Sequence, residues 1–121
     1  MVEKTKNIQD RAFSFACRII RLYQYMIERD RKSDVLSRQL VRAGTSIGAN
    51  LEEANAAQSR ADFISKCSIA LKEARETNYW IRLYKETGLI SKTKLNDLLN
   101  ESDEIISVLT TIVKRSKAKK E

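Results

Sequence analysis

Residues 40–83 read LVRAGTSIGANLEEANAAQSRADFISKCSIALKEARETNYWIRL, and this stretch decides the fold. Its first half is loaded with small residues: Ala43, Gly44, Ser46, Gly48, Ala49, Ala54, Ala56 and Ala57. Gly44 and Gly48 stand one helical turn apart, so both occupy one face and let another helix backbone come close. Each costs about 1 kcal/mol inside a helix relative to alanine, which calls for tight packing, a kink, or a break between 44 and 48. In the second half Phe63, Cys67, Ala70, Ala74, Thr77, Ile81 and Tyr84 recur at steps of 4 and 3 without a slip. That is the rhythm of a helix packed in a bundle.

The same rhythm runs outward in both directions. Ile8, Ala12, Phe15, Ile19, Leu22 and Met26 mark a first helix, about 7–29, with a second row, Ala16, Ile20, Tyr23 and Ile27, widening its apolar face towards two neighbours. Ser33 or Asp34 can cap the next helix. Leu36, Leu40, Ala43, Ile47, Leu51 and Ala54 form its core row over about 34–58. The third helix spans about 61–87 and stops at Gly88, a residue suited to a left-handed C-terminal cap. After Ser91 as N-cap, Leu95, Leu98, Ser102, Ile105, Leu109 and Ile112 carry a fourth helix over about 92–114, followed by a basic tail, 115–121. Four long helices joined by short turns predict one all-α domain, an antiparallel up-down-up-down four-helix bundle.

Composition agrees with this. Proline is absent and glycine occurs three times in 121 residues, so little interrupts helix. No apolar run is long enough to span a bilayer and the first ten residues are polar, which leads us to expect a cytoplasmic protein without a membrane contact. Cys17 and Cys67, both among apolar neighbours, are then expected as reduced, buried thiols. The net charge of +7 is uneven: the last eight residues, with Lys114, Arg115, Lys117, Lys119 and Lys120, hold +4 of it. Such a balance favours nucleic acid or another anionic surface, although a lysine-rich end can also serve solubility alone.

Catalytic chemistry has little to work with. There is no histidine, which removes the commonest general base and most zinc and di-iron sites. Glu52, Glu53, Glu73 and Glu76 are the acidic cluster, and Arg38, Arg42, Lys72 and Arg75 are at hand to pair with them. Neither cysteine has a histidine partner, and Gly44–Gly48 matches no phosphate-binding loop. The chain is expected not to be an enzyme and to need no cofactor or metal.

Two surface features remain. Arg11, Arg18, Arg21, Tyr25 and Arg29 form a basic stripe on the first helix. Arginines at this spacing can follow phosphates and a tyrosine can stack on a base; equally, they can be a solvated face or meet acids on a neighbouring helix. Ile69 and Trp80 share a face about 100° from the core row of the third helix. They either cover the bundle edge or anchor a subunit contact, where tryptophan is enriched.

The central stretch resembles the 23S rRNA intervening-sequence protein family. The matching parts are Gly44-Thr-Ser-Ile-Gly-Ala-Asn50 with Glu53, then Asp62-Phe63 and Lys66, then Ala70-Leu71-Lys72-Glu73-Ala74, then Glu76, Trp80 and Leu83. The resemblance implies a small bundle that assembles as a homopentamer around a pore, some members being encoded in insertions of ribosomal RNA genes. A similar protein, the accessory variability determinant of diversity-generating retroelements, works with a reverse transcriptase and template RNA. The resemblance carries over no catalytic residues. Gly44, Gly48 and Asn50, with Ile69 and Trp80, read as helix or subunit packing positions.

Together these readings predict a non-enzymatic homo-oligomer that binds structured RNA, ahead of DNA, through the first-helix stripe and the Lys114–Lys120 tail. The alternative is an oligomeric scaffold that docks a protein partner such as a reverse transcriptase.

Overall fold

The computed structural model describes residues 2–31 and 34–119, with side chains from Asn7 onward. It contains four helices: α1 (Val2–Arg29), α2 (Asp34–Asn55), α3 (Arg60–Thr87) and α4 (Lys92–Ala118). α1 lies beside α2 and α4, α3 lies beside α2 and α4, and among the described residues the backbones of the two diagonal pairs do not approach one another closely. The helices therefore form a square. Cross-helix bonds give the directions. Gln9 reaches Glu52 while Tyr23 reaches Asp34, and Arg11 reaches Glu101 while Tyr25 lies beneath Lys94. Each neighbour pair is antiparallel, as the short turns require.

The expected seams are the core. Ile8, Phe15 and Ile19 of α1, Leu40, Ile47 and Leu51 of α2, Ile81 and Tyr84 of α3, and Leu95, Ile105 and Leu109 of α4 are all buried. Each such aliphatic side chain contributes roughly 1.5–3 kcal/mol when removed from water. The widened face of α1 is covered less than expected: Ile20 is 43% exposed, and Ala16, Tyr23 and Ile27 are half-buried.

α2 is continuous through both glycines, so there is no break at 44–48. A Cβ on Gly44 would stand 3.0 Å from Ile19 Cγ1, and one on Gly48 would stand 3.7 Å from the Ala12 backbone. The small residues thus serve the close approach of α1 to α2. Across the square, the α1–α4 contact is the sparsest of the four.

Helix ends depart from the periodicity in places. α1 begins at Val2, because no glycine or proline in residues 2–6 stops it. α2 ends at Asn55, three residues early; Ala56 and Ala57 donate to Glu53 and Ala54 in a tightened last turn. α3 follows at once, its N-cap Ser59 accepting from the Asp62 N–H at 3.0 Å. Gly88 ends α3 with φ 74°, the left-handed cap expected of it. α4 runs past 114 to Ala118: Ser116 is buried and its carbonyl accepts from Arg60 at 3.2 Å, so α3 holds the last turn. Arg115 and Lys117 lie in that turn, where cations suit the helix dipole. Most of the expected tail is helix; Lys120 and Glu121, like Ser33 as a cap for α2, lie outside the described residues.

Candidate nucleic-acid interface

The arginine stripe on α1 divides in two. Arg11 makes a bidentate pair with Glu101 of α4 at 2.9 and 3.0 Å, with Glu104 at 4.0 Å. The hydrogen bonds that Arg11 donates to the Glu101 carboxylate raise its pKa above its usual value, against the opposing effect of burial. This cation is already compensated, so it leaves the set expected to meet phosphate.

The rest of the stripe is different. Arg18, Arg21, Leu22, Tyr25, Lys94 and Leu98 line one groove of about 280 Å³ where α1 faces the start of α4. Arg29 lies 5.1 Å and Lys94 4.5 Å from the centre of the Tyr25 ring, both over its face. Among the described residues none of these four cations has a carboxylate within ion-pair distance. Tyr25 therefore does not offer a bare ring; it gathers cations. A second cleft of about 460 Å³ adjoins it, lined by Tyr25, Met26, Arg29, Asp30 and the α3–α4 turn from Gly88 to Ser91. The helix positions this site directly: 18, 21, 25 and 29 lie at steps of three and four on α1, and the antiparallel α4 brings Lys94 alongside.

Lys94 is the residue that periodicity missed. A signal for it existed: α4 opens with Lys92 and Lys94 and has no acid in its first turn. Cations at a helix N-terminus oppose the dipole, so their presence there called for a reason outside the helix. Lys114, Arg115, Lys117 and Lys119 are exposed at the opposite end of α4, apart from the Tyr25 cluster.

The remaining expected positions are spread over other faces. Arg42 joins Glu73 and Glu76, tying α2 to α3. The Trp80 indole N–H donates to Glu76 at 3.1 Å, and its ring meets Tyr79 edge-on at 5.3 Å. Trp80 is half-buried and Ile69 is 37% exposed on the α2–α3 side of the molecule. Asn50 donates to the Ser46 carbonyl of its own helix at 2.8 Å. Among the described residues no three His, Cys, Asp or Glu side chains come together as a metal group would require, and no helix is long and apolar enough to cross a membrane. Both cysteines are free; Cys67 is fully buried, which pushes its thiol up to about 11, whereas Cys17 is only half-buried, contrary to expectation.

Comparison with known proteins follows the same lines. No curated protein matches the chain. A crystal structure of a protein of unknown function from the S23 ribosomal protein family of Bacteroides thetaiotaomicron is similar throughout, with a TM-score of 0.87 and 46% identity. The match covers 92% of this chain and 98% of that one. The family model for the 23S rRNA-intervening sequence protein matches residues 4–111. This four-helix chain belongs to the 23S rRNA-intervening sequence protein family.

Proposed function

We propose that this protein is a non-enzymatic, homo-oligomeric RNA-binding bundle that takes structured RNA, in preference to DNA, on the Arg18, Arg21, Arg29 and Lys94 cluster around Tyr25. The observation that carries this reading is the clustering of four uncompensated cations, while Arg11, Arg38 and Arg42 all have carboxylate partners. An ion-paired arginine gains little by meeting phosphate. An unpaired one releases the counterions condensed on the nucleic acid. The exposed Lys114, Arg115, Lys117 and Lys119 form a separate basic patch at the far end of α4. Assembly as a homopentamer, implied by the family resemblance, is part of the proposal: five copies of a +7 chain would carry about +35, and clustered charge holds a polyanion more tightly than separate copies. Ile69 and Trp80 are proposed as positions in the subunit contact.

The test compares Arg18→Ala/Arg21→Ala with Arg11→Ala. The first variant should weaken binding to a structured RNA about tenfold or more at constant oligomer mass; the second should change it little. Equal effects from both would defeat the assignment. A second reading, a scaffold docking a protein partner such as a reverse transcriptase, is favoured by Phe13 and Ile20, which stand 67% and 43% exposed two turns apart on α1. It predicts unchanged RNA binding in the arginine variant and loss of the partner enzyme on Phe13→Asp.

A further inference from the structure

The side of α4 that lies towards α1 carries its charge in three zones. Lys94, Glu101, Val108 and Arg115 recur at steps of seven, so they share one side of the helix, drifting by only about 20° per heptad. Two of them fix where that side points: Lys94 lies over the Tyr25 ring and Glu101 holds Arg11, both on α1. Lys94 belongs to the Tyr25 cluster with Arg18, Arg21 and Arg29. In the middle stand the acids Asp97, Glu101 and Glu104, of which Glu101 and Glu104 are engaged with Arg11. At the far end Arg115 and, one turn on, Lys119 are exposed. Among the described residues neither has a carboxylate within ion-pair distance. The rise of an α-helix puts Lys94 and Arg115 about 31 Å apart along the axis.

A basic zone, an acidic zone and a second basic zone therefore lie in line. A flexible polyanion laid along this line meets the acids as well as the cations. An A-form duplex does not, because its phosphate rows come up to one side once per helical turn, with a groove between them. Domains that recognise double-stranded RNA by shape span about 16 base pairs, far enough to meet two successive minor grooves. We infer that one chain measures the length of an RNA stem: one phosphate row sits on Arg18, Arg21 and Lys94, the next on Arg115 and Lys119, and the groove between them faces Glu101 and Glu104. The inference rests on the RNA-binding reading and adds the substrate class, a duplex of at least one A-form turn. A shorter stem reaches a single patch. A single strand can bend to both, but it must give up its freedom to be held there and must pass the acids.

The test uses the full chain and two hairpin RNAs of equal nucleotide number. One has a stem of about 16 base pairs and a short loop, the other a stem of about 6 and a long uridine loop. Equal length keeps the phosphate count constant. In fluorescence anisotropy at one salt concentration the long stem should bind at least tenfold more tightly. Arg115→Ala/Lys119→Ala, which alters exposed side chains only, should bring the long stem to within threefold of the short one. It should leave the short stem within threefold of its parent affinity. On the long stem its salt slope should be shallower by about two. Equal binding of both hairpins to the unaltered chain would overturn the inference and leave the RNA-binding reading standing. Equal losses on both hairpins from the double variant, or no loss on either, would do the same. Binding of neither hairpin at low salt by folded protein would remove both readings.

Discussion

At the residue scale, the two glycines of α2 make opposite predictions. A methyl group on Gly44 would press on Ile19 Cγ1 and Cγ2 at 3.0 and 3.1 Å, and Ile19 is fully buried and branched at Cβ, so it has little room to yield. Overpacking of this kind costs about 1–3 kcal/mol, more than the helix propensity that alanine returns. Gly44→Ala should therefore lower the urea midpoint. At Gly48 the nearest atom is 3.7 Å away, an ordinary contact, so Gly48→Ala should stabilise the chain by about 1 kcal/mol. The sequence alone could place both glycines on a helix face, but only the neighbour's shape separates them. Cys67 gives a pH prediction. Its folded-state value, raised to about 11 by burial, stands above the ordinary 9.0 of an unfolded thiol. The folded chain then keeps a proton that the unfolded chain loses. Stability is fully present below about pH 9 and falls as pH rises towards 11, by roughly 2 kcal/mol for this group. Burial of Tyr84 raises its hydroxyl in the same direction, against the Ser37 hydrogen bond. Cys67→Ala should flatten part of the fall in a denaturation series across that range, and iodoacetamide at pH 8 should label Cys17 well before Cys67.

At the scale of the element, periodicity was enough to find all four helices and their core rows, because the 3.6-residue repeat of each apolar seam reports the same burial that forms the core. Ends were less legible. α4 continues past Lys114 because Ser116 and Arg60 meet across two helices, and no local rule foresees a contact that distant. The α3–α4 seam carries a polar device that periodicity also hides. Asn78, 9% exposed, donates to Ser102 at 2.8 Å and Asp103 at 2.9 Å and accepts from Arg82 at 2.9 Å. Asn78→Ala would leave the buried Ser102 hydroxyl and its neighbours short of a partner, at a cost of about 1–3 kcal/mol. Thermal unfolding followed by circular dichroism measures this; a midpoint equal to that of the parent would count against the network.

For the whole molecule, four of the five residues of the candidate site were visible in the chain. Arg18, Arg21, Tyr25 and Arg29 lie on one helix, so their shared face follows from spacing alone. Lys94, and the pairing of Arg11 with Glu101, depend on how α4 is laid against α1, which is tertiary information. The proposed assembly makes its own prediction: Trp80→Ala should shift the mass in light scattering to smaller species, and an unchanged mass would remove Trp80 from the proposed subunit contact. The central claim is that the cations around Tyr25 meet phosphate. Its most direct test is the affinity of a structured RNA over a salt series, for the parent chain and for Arg18→Ala/Arg21→Ala at matched oligomer mass. The account predicts that log affinity falls linearly with log salt and that the double variant has a slope shallower by about two, one for each phosphate left without its arginine. Identical slopes, or no binding at low salt by an intact oligomer, would contradict it.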